Sequence, residues 1–222
     1  MQAPPRRATM SLLLYCVTGP STSLPPVAGV SGSPVARFEH PDLAVFYSEN
    51  TNPDRWLRVP LRTAAEQVHR VQQALFRSAA IIPFRFPAIL EDQEKLRDHL
   101  TQRSSQYKSL LDRFATFVQM DITLTGSAAP ADRSSGARYL RDRQSRTHSL
   151  EQFASETRAH VNQLATDWRQ RSIPNGLRCF ALVERERVHD FNETMKSASV
   201  PAELTVRISG PWPVAEFLEF ST

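Results

Sequence analysis

"AIIPFRFPAIL", residues 80–90, sets the problem of the fold. Its aliphatic and aromatic side chains suit an extended, buried segment. Pro83 and Pro87 carry no N–H to give to a ladder, so a strand here lies at a sheet edge or carries a bulge. Strand alternation turns Arg85 away from Phe84 and Phe86. Two roles suit such an arginine: a buried, paired charge that fixes two elements together, or the anchor of a partner site, since arginine and aromatic residues are enriched at binding hot spots.

On both sides of this stretch the apolar period changes to that of helices. Upstream, Ala64, Val68, Val71, Leu75 and Ala79 recur at three- and four-residue spacing. Thr63 and Glu66 have the spacing of a capping box at the start of that helix. Downstream, from Asp92, the residues Leu96, Leu100, Tyr107, Leu110, Leu111, Phe114 and Phe117 form a second stripe, and "VQMDITLTG" then alternates like a strand. Nearer the N-terminus, Leu12–Val17 is an apolar run stopped by Thr18-Gly19-Pro20, and a Ser/Pro/Gly-rich loop runs to Pro34. "VARFEH" and "LAVFYSE" then flank the turn residues His40-Pro41-Asp42, as in a hairpin. The order β, ββ, α, extended segment, α, β predicts α+β architecture, helices on a sheet.

"SAAPADRSSG", residues 127–136, has the composition of a linker. After it, Leu150, Phe153, Ala154, Thr157, Val161, Leu164, Ala165 and Trp168 share one helical face, and the pattern predicts a helix that stops before Pro174-Asn175-Gly176. "LRCFALVE", a short helix around 188–195 and "ELTVRIS" complete a second helix-and-sheet unit. The expected organisation is a disordered extension at 1–10, an N-terminal α+β domain at 11–126, a linker at 127–136 and a C-terminal α+β domain at 137–222, with the start at Met1 or Met10 left open. Each domain is expected to pack helices on a small mixed or antiparallel sheet. In the tail, "ISGPWPVAEFLEF", Gly210 permits unusual backbone geometry and the prolines hold Trp212 against the second domain or across the domain junction.

Length and composition describe a globular chain of 222 residues with 41% hydrophobic and 23% charged side chains. Lys and Arg number 27 against 23 Asp and Glu, and the acids are interleaved almost throughout. Cys16 and Cys179 each sit in an apolar, strand-like run and read as buried free thiols in a reducing, cytoplasmic compartment. The Leu12–Val17 run is too short for a signal peptide's apolar region and reads as a first strand, and no run reaches the length of a membrane span. The chain has neither GxxxxGK nor GxGxxG, and "GVSGS" at 29–33 lacks the frame of a nucleophile elbow. Six histidines show no HExxH, and there is no CxxC. Carboxylate pairs such as Glu91-Asp92 flank helices, where the macrodipole explains them. Arg133, Arg138, Arg141, Arg143 and Arg146 form a basic stretch that reads as a solvated helix face or as a surface for phosphate or an acidic partner. No catalytic residue, metal ligand, cofactor or small-molecule substrate is expected.

"LLLYCV", "LAVFYSE", "IIPFRFPAIL" after an amphipathic helix, "GARYLRDR", "FALVERERVHDFNE" and "ISGPWP" occur in the order seen in the gas vesicle protein F/L family. The chain resembles that family over nearly its whole length, most specifically in "PFRF" and "SGPWP". The resemblance implies two α+β domains, the first like a ferredoxin-like arrangement. It also implies a non-enzymatic cytoplasmic accessory protein of gas vesicle formation, in part associated with the vesicles, that binds the hydrophobic shell protein and other accessory proteins, with no membrane or nucleic-acid partner. Phe84, Arg85, Phe86, Trp212 and Phe217 are the candidate partner-binding or domain-junction residues. Two departures stand out. Pro87 replaces the family's usual glycine, and Val214-Ala215-Glu216-Phe217 replaces its Tyr-Ser-Phe continuation. These departures motivate the alternative of a diverged member serving as an interaction module elsewhere, and the arginines of 133–146 a further alternative of nucleic-acid binding.

Overall fold

The structure, a computed structural model, describes residues 11–50, 59–126 and 136–219. The expected extension at 1–10 and all but the last residue of the expected linker lie outside these. The chain divides between Ala115 and Thr116 into two compact units.

The first unit contains β1 (Ser11–Thr18), β2 (Ala36–His40), β3 (Leu43–Asn50), α1 (Leu61–Phe76), β4 (Ile81–Pro83), β5 (Ile89–Leu90) and α2 (Gln93–Arg113). The sheet runs β2-β3-β1-β4, with β5 also paired to β1, and every pairing is antiparallel. β2 and β3 form the expected hairpin, His40 opposite Leu43. This strand order is the ferredoxin-like one, but the crossover from β1 to β2 carries only a 3-10 turn at Val30–Gly32 where that fold has a helix. The turn lies tight on the sheet. A Cβ at Gly29 would meet the Tyr15 hydroxyl at 2.2 Å and Ser48 Oγ at 2.5 Å, so no larger residue fits. The Tyr15 hydroxyl accepts the Val30 N–H and shares a hydrogen bond with Ser48.

Both faces of this sheet are covered. α1 lies with the 3-10 turn on the Ser48 face, where Gln67 accepts the Ser31 N–H. α2 lies on the opposite face, where Gln93 donates to the Tyr47 hydroxyl and to Glu49. Leu12 through Val17 are therefore all buried, at 4% exposure or less. Each such side chain is worth roughly 1.5–3 kcal/mol of burial. α1 begins at Leu61 with Pro60 in the N-cap position and no side-chain cap. The expected Thr63–Glu66 capping box does not form: the proline-set backbone starts the helix three residues earlier, and Glu66 pairs with Arg62 instead. α2 begins as read, with Asp92 accepting the Lys95 N–H at 2.8 Å.

The second unit contains β6 (Phe117–Gly126), α3 (Gly136–His160), β7 (Ala165–Ile173), β8 (Gly176–Glu184), α4 (Val188–Ser197), β9 (Leu204–Trp212) and a terminal 3-10 turn (Ala215–Phe217). Its sheet order, β7-β8-β6-β9, repeats that of the first unit. Here both crossovers carry helices, so the complete ferredoxin-like arrangement belongs to the second unit. α3 and α4 bury Leu150, Phe153, Phe191 and Met195, and Val161 is buried just past the end of α3.

Two further sequence expectations are corrected. The sequence pattern places β6 in the first domain, but it pairs with β8 on one side and β9 on the other, so the units part after Ala115 and not at 127–136. The apolar stripe carries the long helix through Trp168, but the helix ends at His160, and Ala165–Ile173 is a strand. Leu164, Ala165 and Trp168 fit a helical stripe by coincidence. What decides is the two-residue loop Pro174-Asn175, which sets Ile173 opposite Gly176, with Asn175 in the left-handed region at φ 62°. Replacing Asn175 with valine is expected to lower the unfolding free energy by about 1–2 kcal/mol in urea titrations, and replacing it with glycine to leave it unchanged or raised.

Candidate functional site

The two most distinctive motifs occupy equivalent places. β4–β5 and β9 are each the edge strand beside the first strand of their unit, and each is interrupted by a proline-bearing bulge.

In the first unit, β4 pairs with β1 from Cys16 to Thr18 and β5 pairs with Leu12 and Leu13, so Phe84–Ala88 swings out opposite Leu14 and Tyr15. The excursion is pinned at both ends: the Phe84 N–H donates to the Tyr15 carbonyl at 3.0 Å, and the Leu14 N–H to the Ala88 carbonyl at 2.8 Å. Gln72, buried on α1, reaches between the strands and donates to the Tyr15 carbonyl at 2.8 Å and the Phe84 carbonyl at 3.1 Å. The Phe84 ring rests against His99 and Tyr107 of α2, with centroids 6.2 and 6.3 Å away. His99 shares a 2.8 Å hydrogen bond with the Tyr107 hydroxyl. Burial, with the nearby Arg103 charge second, holds the His99 pKa below its ordinary value. Arg85 is exposed at the crest of the excursion, which excludes the buried, paired-charge role. Phe86 is half-buried and joined to Pro87 by a cis bond, and Ile89 is 53% exposed.

In the second unit, Gln119 pairs with Trp212 and Asp121 with Ser209, which leaves Gly210 and Pro211 bulged opposite Met120. Gly210 has φ 136° and joins Pro211 by a cis bond. A Cβ on Gly210 would meet Met120 Sδ at 2.8 Å. The Trp212 ring is half-buried, its Nε1 donating to Ser209 Oγ at 3.3 Å. The buried aromatic of this segment is Phe217, at 1% exposure, with the Arg169 guanidinium 5.2 Å above its ring. Gln119 accepts the Glu216 N–H at 2.9 Å and so ties the tail to β6.

The structure therefore groups Phe84, Arg85 and Phe86 in one excursion, and places Trp212 at the end of β9 just after the second and Phe217 in the terminal 3-10 turn, buried in its own unit's core. Sequence reasoning misses Gln72, which holds the first excursion, and Gln119, which holds the tail. Gln72 hides beside Val71 in the apolar stripe, and nothing local marks either amide as structural. Cys16 and Cys179 are both buried and free, and burial pushes the Cys179 thiol up to about 11. Among the described residues no cluster of three or more His, Cys, Asp or Glu is placed to hold a metal ion, and no helix is long and apolar enough to cross a membrane. The side chains of Arg133, Arg138, Arg141, Arg143 and Arg146 lie outside the described residues.

The architecture defines a class: an α+β protein of two units in succession that share the ferredoxin-like strand order, each with a proline-bulged edge strand. Residues 11–219 match the sequence model described as gas vesicle synthesis protein GvpL/GvpF, and the chain belongs to that family. The fold is also that of solved members. Gas vesicle protein GvpF from Anabaena sp. PCC7120 superposes with a TM-score of 0.77 at 15% identity, covering 96% of this chain and 98% of that one. GvpF from Microcystis aeruginosa superposes with a TM-score of 0.70 at 14% identity, covering 95% and 99%. No curated protein matches the sequence.

Phe217→Ala is expected to cost about 3 kcal/mol or more in unfolding free energy, and Trp212→Ala roughly half that, because only the first ring is fully enclosed. For His99 the folded pKa lies below the unfolded value, so its neutral form supports the fold. Stability is then full above about pH 6.5 and falls as the pH drops from there towards the folded pKa. Melting temperatures between pH 7.5 and 5.5 are expected to fall less steeply in His99→Gln than in the parent.

Proposed function

We propose that this protein is a non-enzymatic accessory factor of gas vesicle assembly that binds the hydrophobic shell protein and other accessory proteins in the cytoplasm. The observation that carries this reading is the family match across residues 11–219, joined to a fold shared over almost the whole length of two GvpF structures. Physical chemistry supplies the rationale. Shell subunits with large apolar faces aggregate unless those faces are covered before incorporation. The excursion Phe84–Ala88 is the surface proposed to do this: it is held rigidly by Gln72 and α2, and it offers Arg85, Pro87 and the neighbouring Ile89 to solvent. An apolar anchor beside an arginine, on a pre-formed backbone, loses little entropy on binding.

Pro87 and Val214 mark a second reading, that of a diverged member with a different partner. Val214 is buried in its own unit, so its change from the family pattern is accommodated internally. Pro87 is exposed on the proposed surface and is the departure that bears on partner choice.

The test is co-expression of the tagged protein with the shell protein, followed by capture at low and high salt, using the parent, Arg85→Ala and Ile89→Ser. Capture that resists high salt and falls at least fivefold in Ile89→Ser, with unchanged melting temperature, is the expected result. A folded parent that captures no shell subunit sinks the vesicle-assembly function and leaves the diverged-member reading.

A further inference from the structure

Among the described residues the first sheet is covered by a helix on each face, but the second is not. α3 and α4 cover the face of β6 that bears Val118, Met120 and Ile122. The alternate face bears Gln119, Asp121 and Thr123, and the segment that reaches it is the tail around Glu216, tied to Gln119. The pairing registers lay a row straight across this second face: Arg171 on β7, Arg178 on β8, Thr123 on β6 and Arg207 on β9. Three arginines in four cross-strand positions is a costly arrangement, since like charges opposite one another repel.

Part of that charge is compensated within the unit. Arg178 meets the buried Asp121 carboxylate at 2.5 Å. Arg171 meets the Glu216 carboxylate at 3.3 Å, and Arg169, one row along, meets that of Glu219 at 2.5 Å. The tail thus already lies on this face as an acidic segment. At the far end of the row Arg207 is exposed and stands in no ion pair among the described residues, beside the exposed Thr205.

We propose that the row Arg171–Arg178–Arg207 is a docking surface for an extended, carboxylate-bearing segment of a partner protein, for which the Glu216 carboxylate is the intramolecular competitor at Arg171. Three strand spacings separate the ends of the row, about 14 Å. An extended segment advances about 6.6 Å per two residues, so acidic side chains at alternate positions match the arginines when the segment crosses the strands. Carboxylate is favoured over a nucleic-acid strand for two reasons. The tail demonstrates carboxylate recognition on a guanidinium of the row itself, that of Arg171. Phe180, the ring nearest the row, is 2% exposed beneath Arg171 and Arg178, whose guanidinium carbons lie 5.1 and 5.3 Å from its centroid, so it offers no platform for a base. The surface is separate from the Phe84–Ala88 excursion, and the proposal holds whether or not the shell protein binds there.

The test uses the full chain and fluorescence anisotropy with a labelled peptide of alternating threonine and glutamate, its glutamine counterpart, and a labelled single-stranded oligonucleotide of equal charge. Binding of the glutamate peptide and not the glutamine peptide is expected, weakened at least threefold by Arg207→Gln and by Arg171→Gln. Glu216→Gln, which frees Arg171, is expected to tighten it severalfold. Arg62→Gln, an equal charge loss at an exposed site on α1, is expected to leave it unchanged. Arg207→Gln alters only an exposed side chain, so it reports even if Arg171→Gln unfolds. Affinity indifferent to Arg207, an equal loss in Arg62→Gln, or tighter oligonucleotide binding abolished by the same substitutions overturns the proposal.

Discussion

A strand buried on both faces and flanked on both sides has no water to turn to, so every amide of β1 needs a protein partner. That requirement organises the first unit. β3 supplies one side of the ladder, with a bulge at Tyr15. The other side is supplied by an edge strand that Pro83 and Pro87 prevent from running straight, and the gap falls at Leu14 and Tyr15. Phe84 and Ala88 close its two ends, and the Gln72 amide reaches in from α1 to complete it. An unmet carbonyl in such a place costs about 1–3 kcal/mol. The buried glutamine thus meets the Phe84 carbonyl, and adds a second donor to that of Tyr15, where the proline-broken segment leaves the sheet and presents its crest to solvent.

The second unit meets the same demand differently. Its edge strand departs from β6 for only two residues, Gly210 and Pro211, and the glutamine involved belongs to the central strand itself. Gln119 is turned outward to hold the tail, while its side-chain amide also donates to Asp121 at 2.7 Å. The same strand order thus uses a side-chain amide in two ways: from a helix it bridges the broken edge strand of the first unit, and from the sheet it ties down the tail that follows the edge strand of the second.

How legible this was depended on how local the deciding physics is. Proline's missing N–H is a property of one residue, so the edge position of 80–90 could be read directly, as could the hairpin around Pro41-Asp42. The Pro174-Asn175 loop was equally local but carried two meanings, a helix stop and a hairpin, and three apolar residues at helical spacing favoured the wrong one. The assignment of β6 could not be read at all. Alternation identifies a strand, but which sheet it joins is decided by partners some 50 to 90 positions later. The arginine row is of the same kind: residues 123, 171, 178 and 207 become neighbours only through the registers of three strand pairs. Exposure of Arg85 was likewise undecided until the excursion lifted it off the sheet.

β6 and β9, the first and last strands of the second unit, are antiparallel neighbours, and Gln119 near the start of one pairs with Trp212 at the end of the other. The chain therefore enters and leaves this sheet across a single rung, within about 5 Å. A module whose entry and exit coincide can be spliced into a host chain, or relocated by permuting its termini, with little loop-closure entropy to offset. The second unit can then vary the face that its helices leave open while the ladder that closes it stays the same.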